Sequence, residues 1–429
     1  PPVAEMITAI PEWAFRRFSD HLYVLADGSR VHGAMGGSSA TGGFAQGSAG
    51  ALCLDSATSR DLAGNFIREL AARYKGHPAL LGYDVWNECG YSPDICFCEF
   101  TAAQFRSWLA GKYGDLEALG KAWNRYSYSE WDDVQIPRTL GPYPDSLDWL
   151  EFRRLNFFAQ MQWRIDSIRE GDQDCLIAAH GTAGSLVNMG PSGSDEWLGA
   201  SKVDVYGFTW VPSRKGAEFW KAWMAVDLTR SGARGKTFWH AEAQGGPLWL
   251  QPQVVGRPPE DGRVTTADDI RFWNLISFAG GARGILYPRW RPLLDGPLFG
   301  AFGPYGMDGS RTDRSEAASE MAMWANDERQ AGLMQSVPIR GQVGIVVARE
   351  SQLFSYLLSQ QGDYDSYADA MNGAYRGFFD NNIQADWVLI DHIAEYDVLY
   401  LPYPIMLTRE TADRLSEWVE RGGFLISEG

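Results

Sequence analysis

Short apolar runs alternate with longer stretches of helical spacing along most of the chain. Between about residues 61 and 326, apolar positions in segments such as 61–74 and 146–169 recur every three or four residues, which is typical of amphipathic helices. Compact apolar runs of the kind that form buried strands lie between such segments: LGYDVW, CLIAAH, VDVYGF, TFWHAE and GILY. Repeated strand–helix units predict a parallel sheet covered by helices, which is an α/β fold.

The order of these units favours a (β/α)8 TIM barrel over an open doubly wound sheet, because no glycine-rich dinucleotide loop stands where the open sheet would need one. About five barrel strands are counted from LGYDVW onward, and ITAI at 7–10 is a candidate for the end of one more. A complete barrel needs eight strands. We therefore expect the N-terminal strands of the barrel to be missing from this chain.

Beyond about Arg340 the alternation restarts on a smaller scale. Its elements are strand-like runs at 341–347, 397–402 and 422–427 and helical spacing at 364–382 and 408–421. This pattern predicts a flavodoxin-like α/β domain over 336–429, truncated at its C-terminus, after a catalytic barrel domain over 1–335. The second domain contains no cysteine nucleophile and no GxSxG motif, so we expect it to serve subunit association.

Composition narrows the classes of function. Hydrophobic residues make up 45% of the chain and charged residues 21%, which is ordinary for a globular protein. The formal charge of −16 argues against nucleic acid and anionic membrane surfaces as partners. The sequence contains no run of 18 or more apolar residues, so it predicts no membrane span. The chain has 18 tryptophans, and a surplus of indole rings either fills the core or stacks on sugar rings.

The cysteines and the start of the sequence bear on its cellular setting. Five cysteines, of which Cys96 and Cys98 are only two positions apart, do not resemble a disulfide framework. We therefore expect a reducing, cytoplasmic compartment. The sequence begins with neither an initiator methionine nor a basic leader region, so we expect it to begin inside a domain.

Two of the predicted strands lead into a glutamate: LGYDVWNE ends at Glu88, and KTFWHAEAQ places Glu242 three strand–helix units later. Residues at the C-terminal ends of barrel strands face the active site. Glycosidic hydrolysis needs one carboxylic acid to protonate the leaving oxygen and a second carboxylate at the anomeric carbon. A single strand-end glutamate can equally be an ion-pair partner, but the pair predicts a glycoside hydrolase. Carboxyls about 5 Å apart would indicate retention of configuration.

Neighbouring side chains suit the same chemistry. The Asn87 amide is placed to hydrogen-bond a sugar hydroxyl beside the scissile bond, and His240 is a candidate to orient or tune Glu242. For any one tryptophan, core packing competes with sugar stacking. The candidates for the wall of the sugar pocket are Trp210, Trp249, Trp290 and Arg291. No catalytic metal is expected, because the six histidines show no metal-ligand spacing.

HPALLGYDVWNE resembles the strand-four signature of the clan of (β/α)8 retaining glycosidases. The stretch from ICFCEF to IPR, the run SLDWLEFRRL and the region GARGILYPRWR are similar to glycoside hydrolase family 42, the β-galactosidases, and the similarity covers nearly the whole chain. The resemblance implies that Glu88 is the acid/base on strand four and Glu242 the nucleophile on strand seven. It further implies that Asn87 contacts the sugar 2-hydroxyl and that the protein is a homotrimer.

The sequence departs from the family at galactose contacts. Ala49 replaces the usual arginine four residues before Cys53, the run 296–302 lacks the usual glutamate and histidine, and the strand-six tyrosine is replaced near Trp210-Val211. We therefore expect cleavage of a β-linked terminal sugar from a glycoside or oligosaccharide, galactosidase-like, with another sugar (a fucoside, an arabinoside or another hexoside) as the alternative. A non-catalytic carbohydrate-binding barrel is the alternative from another class.

Many members of the family hold a structural zinc with four cysteines. Cys53, Cys96 and Cys98 match three of these ligands, and Thr101 stands where the fourth is expected. Tetrahedral zinc requires four good ligands, and threonine is not among the usual ones. Cys89, beside the acid/base, is a candidate substitute. A bound zinc and a vestigial group of free thiols therefore both remain open.

Overall fold

The computed structural model describes most of the chain, namely residues 3–5, 12–30, 52–91, 95–210, 219–246, 265–294, 300–362 and 366–428. The strands are β1 Val3–Glu5, β2 Gly82–Asp84, β3 Leu176–Gly181, β4 Val205–Trp210, β5 Phe238–Ala243, β6 Val343–Val346, β7 Ala385–Val388, β8 Val398–Leu401 and β9 Phe424–Ser427. The helices are α1 Glu12–Arg17, α2 Ala57–Tyr74, α3 Glu99–Tyr113, α4 Leu116–Trp123, α5 Pro144–Gly171, α6 Ser185–Ser192, α7 Glu196–Lys202, α8 Phe219–Ala233, α9 Ala267–Ala279, α10 Asp313–Ala325, α11 Ala331–Gln335, α12 Arg349–Ser359, α13 Ser366–Asp380 and α14 Arg409–Glu420.

The first sheet is a parallel half-barrel. Its five strands follow chain order, β1-β2-β3-β4-β5, and every pairing is parallel. A parallel bridge between His240 and Ile285 joins one further segment to β5. The predicted strand at 284–287 is therefore reduced to this bridge. The predicted α/β fold with a parallel sheet is confirmed, and the strand that precedes β2 is Val3–Glu5, whereas residues 7–10 lie outside the described part.

Helices cover the first sheet because each buries an apolar side against it. Helix α5 is 28 residues long, begins with Pro144 in its first turn and packs along α2. Helix α2 begins at the Ser56 cap, whose hydroxyl accepts the Ser59 amide hydrogen. Between helices and sheet lies a core of large aromatic side chains that includes Trp149, Phe105 and Phe157. This core fixes the position of β2 and β3.

The second sheet is smaller and has the order β7-β6-β8-β9, again with parallel pairing throughout. It is attached to the first region through α8, which contacts β4 on one side and β7 on the other. Arg230 of α8 pairs with Asp386 of β7 at 2.8 Å, and Tyr375 Oη donates to Asp227 of α8 at 2.5 Å. Because α8 packs between both sheets, its polar side chains such as Asp227 and Thr229 are buried together with its apolar ones, and no single apolar face results.

None of the helices among the described residues is both long enough and apolar enough to cross a membrane.

Candidate active site

The site is assembled at the C-terminal ends of β2, β3 and β5. Register places Asp84 of β2 beside Ala178 of β3, and His180 of β3 beside Gly207 of β4. Between β4 and β5 the register shifts by one residue, so that Thr209 faces Glu242. Such a bulge redirects the side chains that follow it. Polar residues from separate strands therefore converge at one edge of the sheet.

His180 connects the two strand ends on which the glutamates lie. Its Nδ1 is 2.6 Å from Asp84 Oδ2, and its Nε2 is 3.1 Å from Asn87 Oδ1 and 3.5 Å from Glu242 Oε2. The imidazole is buried. Burial by itself lowers the pKa of His180, but the charge of Asp84, its hydrogen bond and the Glu242 carboxylate outweigh burial and raise that pKa well above its usual value.

Glu242 is a half-buried carboxylate with polar partners on two neighbouring strands. The Thr209 hydroxyl donates to Glu242 Oε2 at 2.8 Å. Burial favours a higher pKa for Glu242, yet the hydrogen bond and charge of His180, with the Thr209 hydroxyl, lower that pKa below its usual value. A buried carboxylate that stays ionised is suited to act as a nucleophile.

Glu88 follows β2 at a turn of unusual backbone geometry. It is half-buried and has a φ of 49°, in the left-handed region that side-chain-bearing residues seldom occupy. Backbone bonds to β3 hold the segment on both sides of it: Val85 N donates to Ala178 O at 2.7 Å, and Cys89 N to His180 O at 2.8 Å. Backbone strain of this kind is found at functional positions, where the surrounding structure stabilises it.

The aromatic residues near the site have different surroundings. Trp86, which was not among the predicted pocket residues, is buried in the core, with the Arg164 guanidinium 4.3 Å from its ring centre. Trp290 is 60% exposed and lies 4.9 Å from the Tyr305 ring, beside the exposed Arg291. Trp210 ends β4 in register with Ala243, the residue after Glu242. Its side chain is not among those described, and Trp249 lies outside the described residues.

Sequence reasoning missed three polar residues of the site, namely Asp84, His180 and Thr209. Their common signal is weak: each lies at or near the end of a short apolar run, where a barrel strand ends. The sequence also indicated His240 as the residue that orients or tunes Glu242. In the structure, His240 Nδ1 lies 3.0 Å from Ser277 Oγ. The charge of His240 acts on the pKa of Glu242 less than its contact with His180 does.

The three cysteines identified in the sequence form one buried cluster. The sulfur atoms of Cys53, Cys96 and Cys98 all lie within 4.8 Å of one another. The Thr101 hydroxyl oxygen is 3.4 Å from Cys53 Sγ and 3.8 Å from Cys98 Sγ. A tetrahedral metal with bonds of about 2.3 Å to sulfur and 2.0 Å to oxygen has edges of about 3.5–3.8 Å. The three sulfurs could therefore hold a metal ion, and the Thr101 hydroxyl lies beside two of them.

Cys89 does not take part in this cluster, so its prediction as a substitute ligand is wrong. Its thiol lies in the main core, 3.9 Å from Met161 Sδ. Burial raises the pKa of Cys89 well above its usual value, which favours the neutral thiol. All five cysteines of the chain are free thiols in the structure.

A parallel half-barrel with carboxylates at two strand ends is the architecture of barrel glycoside hydrolases. The family model for glycoside hydrolase family 42, described as beta-galactosidase, matches residues 4–296, and the chain belongs to that family. The beta-galactosidase LacZ of Heyndrickxia coagulans is 26% identical over 99% of this chain and 61% of its own. The chain thus spans about three-fifths of the length of this relative.

Solved structures share the fold. A beta-galactosidase from Bacillus circulans sp. alkalophilus matches 98% of this chain and 60% of its own length, with a TM-score of 0.80 and 22% identity. An exo-carrageenase of family 42 from Bacteroides ovatus matches 99% of this chain and 57% of its own, with a TM-score of 0.69 and 13% identity. The same fold therefore occurs in proteins named for different substrates.

Proposed function

We propose that the protein is a retaining glycoside hydrolase that removes a β-linked terminal sugar, in the first instance a β-galactoside. The observation that carries this proposal is the Glu242 carboxylate at a strand end, which accepts from the Thr209 hydroxyl and lies 3.5 Å from His180 Nε2. The same imidazole also contacts Asn87, the residue before Glu88. Family membership supports the reaction class.

In the proposed reaction Glu242 attacks the anomeric carbon while the glycosidic C–O bond breaks. The carboxylic acid of Glu88 gives its proton to the leaving oxygen, which departs as an alcohol. Glu88, now a carboxylate, then takes a proton from water, whose oxygen displaces Glu242 and releases the sugar with retained configuration. The Asn87 amide binds the sugar 2-hydroxyl, a contact that strengthens in the transition state.

The sugar is tested with a panel of nitrophenyl glycosides that differ in one hydroxyl or substituent. We expect turnover of the β-galactoside. Turnover of a β-fucoside, an arabinoside or another hexoside alone would reassign the specificity and retain the reaction class. The replaced galactose contacts and the carrageenase in the same family make this comparison necessary. Absence of turnover for the whole panel would contradict the proposal.

The covalent intermediate is tested with a 2-deoxy-2-fluoro glycoside that carries a dinitrophenyl leaving group. Such a compound forms the glycosyl-enzyme but slows its hydrolysis, so the labelled residue can be found by peptide mass spectrometry. We expect the label on Glu242. A label on another carboxylate would contradict the assignment of the nucleophile.

We propose in addition that the half-barrel is part of a complete (β/α)8 barrel and that the second sheet belongs to a flavodoxin-like domain within a homotrimer. The parallel order β7-β6-β8-β9, with the first strand in second place, supports the flavodoxin-like assignment. The boundary near residue 335 and the cytoplasmic location stay predictions. Light scattering of the full protein gives the mass of the assembly and tests the trimer.

We also propose that Cys53, Cys96 and Cys98 hold a structural zinc with the Thr101 hydroxyl as the fourth donor. Thr101 donates its proton to Asp55 Oδ2 at 2.7 Å, so the lone pairs of its oxygen remain for a metal. A carboxylate that accepts from a ligand raises the basicity of that ligand. The expected metal content is one zinc per chain, and catalysis does not involve it.

Cobalt substitution tests the fourth donor, because thiolate-to-cobalt absorption grows with the number of thiolates. Thr101→Cys should raise that absorption by about one third, since three thiolates become four. The isosteric Thr101→Val should weaken cobalt binding at an unchanged thiolate count. Unchanged affinity in Thr101→Val would show that Thr101 is no ligand. If the purified protein contains no metal and also binds no added cobalt, the three cysteines are free thiols.

A further inference from the structure

We propose that His180 is the positioning residue of this site. A cationic imidazole at this position holds the Glu242 carboxylate and the Asn87 amide in fixed relation across three strands. It also supplies the positive charge that lets a buried nucleophile remain an anion. The inference rests on the proposed function, in which Glu242 is that nucleophile.

The hydrogen-bond pattern favours a doubly protonated ring. Nδ1 lies 2.6 Å from an Asp84 oxygen, which only accepts, so Nδ1 carries a hydrogen. Nε2 faces two further oxygens, Asn87 Oδ1 at 3.1 Å and Glu242 Oε2 at 3.5 Å. A neutral ring with its hydrogen on Nδ1 would present a lone pair to both of these oxygens. The cation presents a donor to both, and it pairs two carboxylates with one positive charge.

The strand that separates β3 from β5 is built to allow this contact. Its residue in register with His180 is Gly207, and a Cβ atom there would lie 2.5 Å from Ala241 Cβ and 3.2 Å from His180 Cβ. Only glycine leaves that space open. At the adjacent bulge Phe208 pairs with His240 but Thr209 pairs with Glu242, so one residue of β5 is skipped. This brings Glu242 level with the strand ends.

The charge balance explains what the imidazole contributes. The ionisable groups that act most strongly on the pair are Asp84 on β2, His240 on β5 and the two partners themselves, and Glu88 follows Asn87 in the chain. Without His180, Glu242 would keep only the Thr209 hydroxyl and the more weakly acting His240 against the cost of burial. Its pKa would then rise.

The same contact orients the sugar-binding amide. Because Asn87 Oδ1 accepts from His180, the amide NH2 group is turned to the other side of the side chain. That NH2 group serves as the donor to the sugar 2-hydroxyl. One imidazole therefore keeps the nucleophile charged and also determines to which side the Asn87 amide presents its NH2 donor.

The first test is the pH profile of kcat/KM on the dinitrophenyl glycoside of the preferred sugar. That leaving group needs no protonation, so the rate reports Glu242 rather than Glu88. His180→Gln and Asp84→Asn should each move the acidic limb upward by about one to three pH units, with activity partly restored at higher pH. The control is His77→Gln, on an exposed residue before β2 at the opposite edge of the sheet, with an unchanged profile. A uniform loss of activity at all pH values in His180→Gln would overturn the proposal.

The second test does not depend on turnover. Nitrogen-15 spectra of the histidine rings in the full protein should contain one imidazole that stays doubly protonated above pH 8, and the signal should vanish in His180→Gln. Because coupling is reciprocal, Glu242→Gln should lower the pKa of that imidazole. A neutral His180 at pH 7, or one that does not respond to Glu242→Gln, would overturn the positioning role.

The two tests separate failure of this inference from failure of the proposed function. If no glycoside in the panel is cleaved, the reaction assignment fails, and the ring spectra alone decide whether His180 and Glu242 are coupled. If the protein is active but the profiles and spectra do not respond, the reaction assignment stands and the role of His180 fails.

Discussion

The two parallel sheets of this protein are built alike and end differently. In the first, the strand ends carry Glu88, His180 and Glu242. In the second, three of the four strands end in residues that are apolar and buried, namely Val346, Val347, Leu389 and Leu401, and β9 ends at the exposed Ser427. Helices cover both sheets. The parallel topology provides an edge where strand ends meet, but only the residue types there make that edge a site.

The buried acids of the two sheets differ in the same way. Asp386 in the middle of β7 accepts from Arg230 at 2.8 Å, from the Gly341 amide at 2.6 Å and from Tyr396 Oη at 3.1 Å. Arg230 links Asp386 to α8, and the other two partners lie just before β6 and β8, so all three hold the second sheet in place. Glu242 has partners that tune its charge at the mouth of the sheet. Burial of a carboxylate therefore indicates function only when its partners leave it at an open edge.

The largest expected difference between the edges lies in catalysis. Glu242→Gln removes the nucleophile and should lower kcat by about 10⁴-fold or more. Its matched control is Glu350→Gln, in the first turn of α12 just past β6, where the carboxylate accepts from the Thr408 amide at 3.1 Å. That control should retain full activity. Comparable losses in both variants, measured with the preferred nitrophenyl glycoside, would remove the distinction between the sheets.

The next effect is on stability. Asp386→Ala removes the acceptor of three hydrogen bonds, while Arg230 keeps Asp227 as a partner at 2.5 Å, so the free energy of unfolding should fall by about 3 kcal/mol. Urea-induced unfolding followed by circular dichroism measures the loss. The pH profile of the folded variant should match that of the unmutated protein, since Asp386 lies away from the strand ends. A shifted acidic limb would mean that the second sheet contributes to the site.

The smallest effects come from single hydroxyls. Thr209→Val removes a hydrogen bond to the charged Glu242 and should cost about tenfold in kcat/KM on the acidic side. The sign follows from the pKa: the Thr209 hydroxyl lowers the pKa of Glu242, so its removal raises that pKa, and the ionised fraction falls as pH falls. The matched variant Tyr396→Phe should cost about 1 kcal/mol of stability and no activity. Equal pH profiles for Thr209→Val and the unmutated protein would contradict this reading.

The amino-acid sequence by itself determined the repeating strand–helix order and the two strand-end glutamates. Helices with one apolar face, such as α13 and α14, were predicted to within two residues of their observed bounds, because their periodicity is local. The parallel topology then required that Glu88 and Glu242 share one edge of the sheet. The grouping of Cys53, Cys96 and Cys98 came from the resemblance to the family, and the structure places two of them at the start of one helix.

Tertiary structure alone decided which neighbours these groups have. Helix α8, between two sheets, buries polar residues such as Asp227 beside its apolar ones and therefore gives no clear periodic signal. Trp86 lies next to the site in the chain but in the core in space, and Cys89 lies beside Glu88 in the chain but away from the other thiols. His180 reaches Glu242 because of register, a bulge and Gly207 on the strand between them. Register belongs to a pair of strands, and parallel partners are separated by a long crossover in the chain, so the residues of one strand do not reveal which residues will lie beside them.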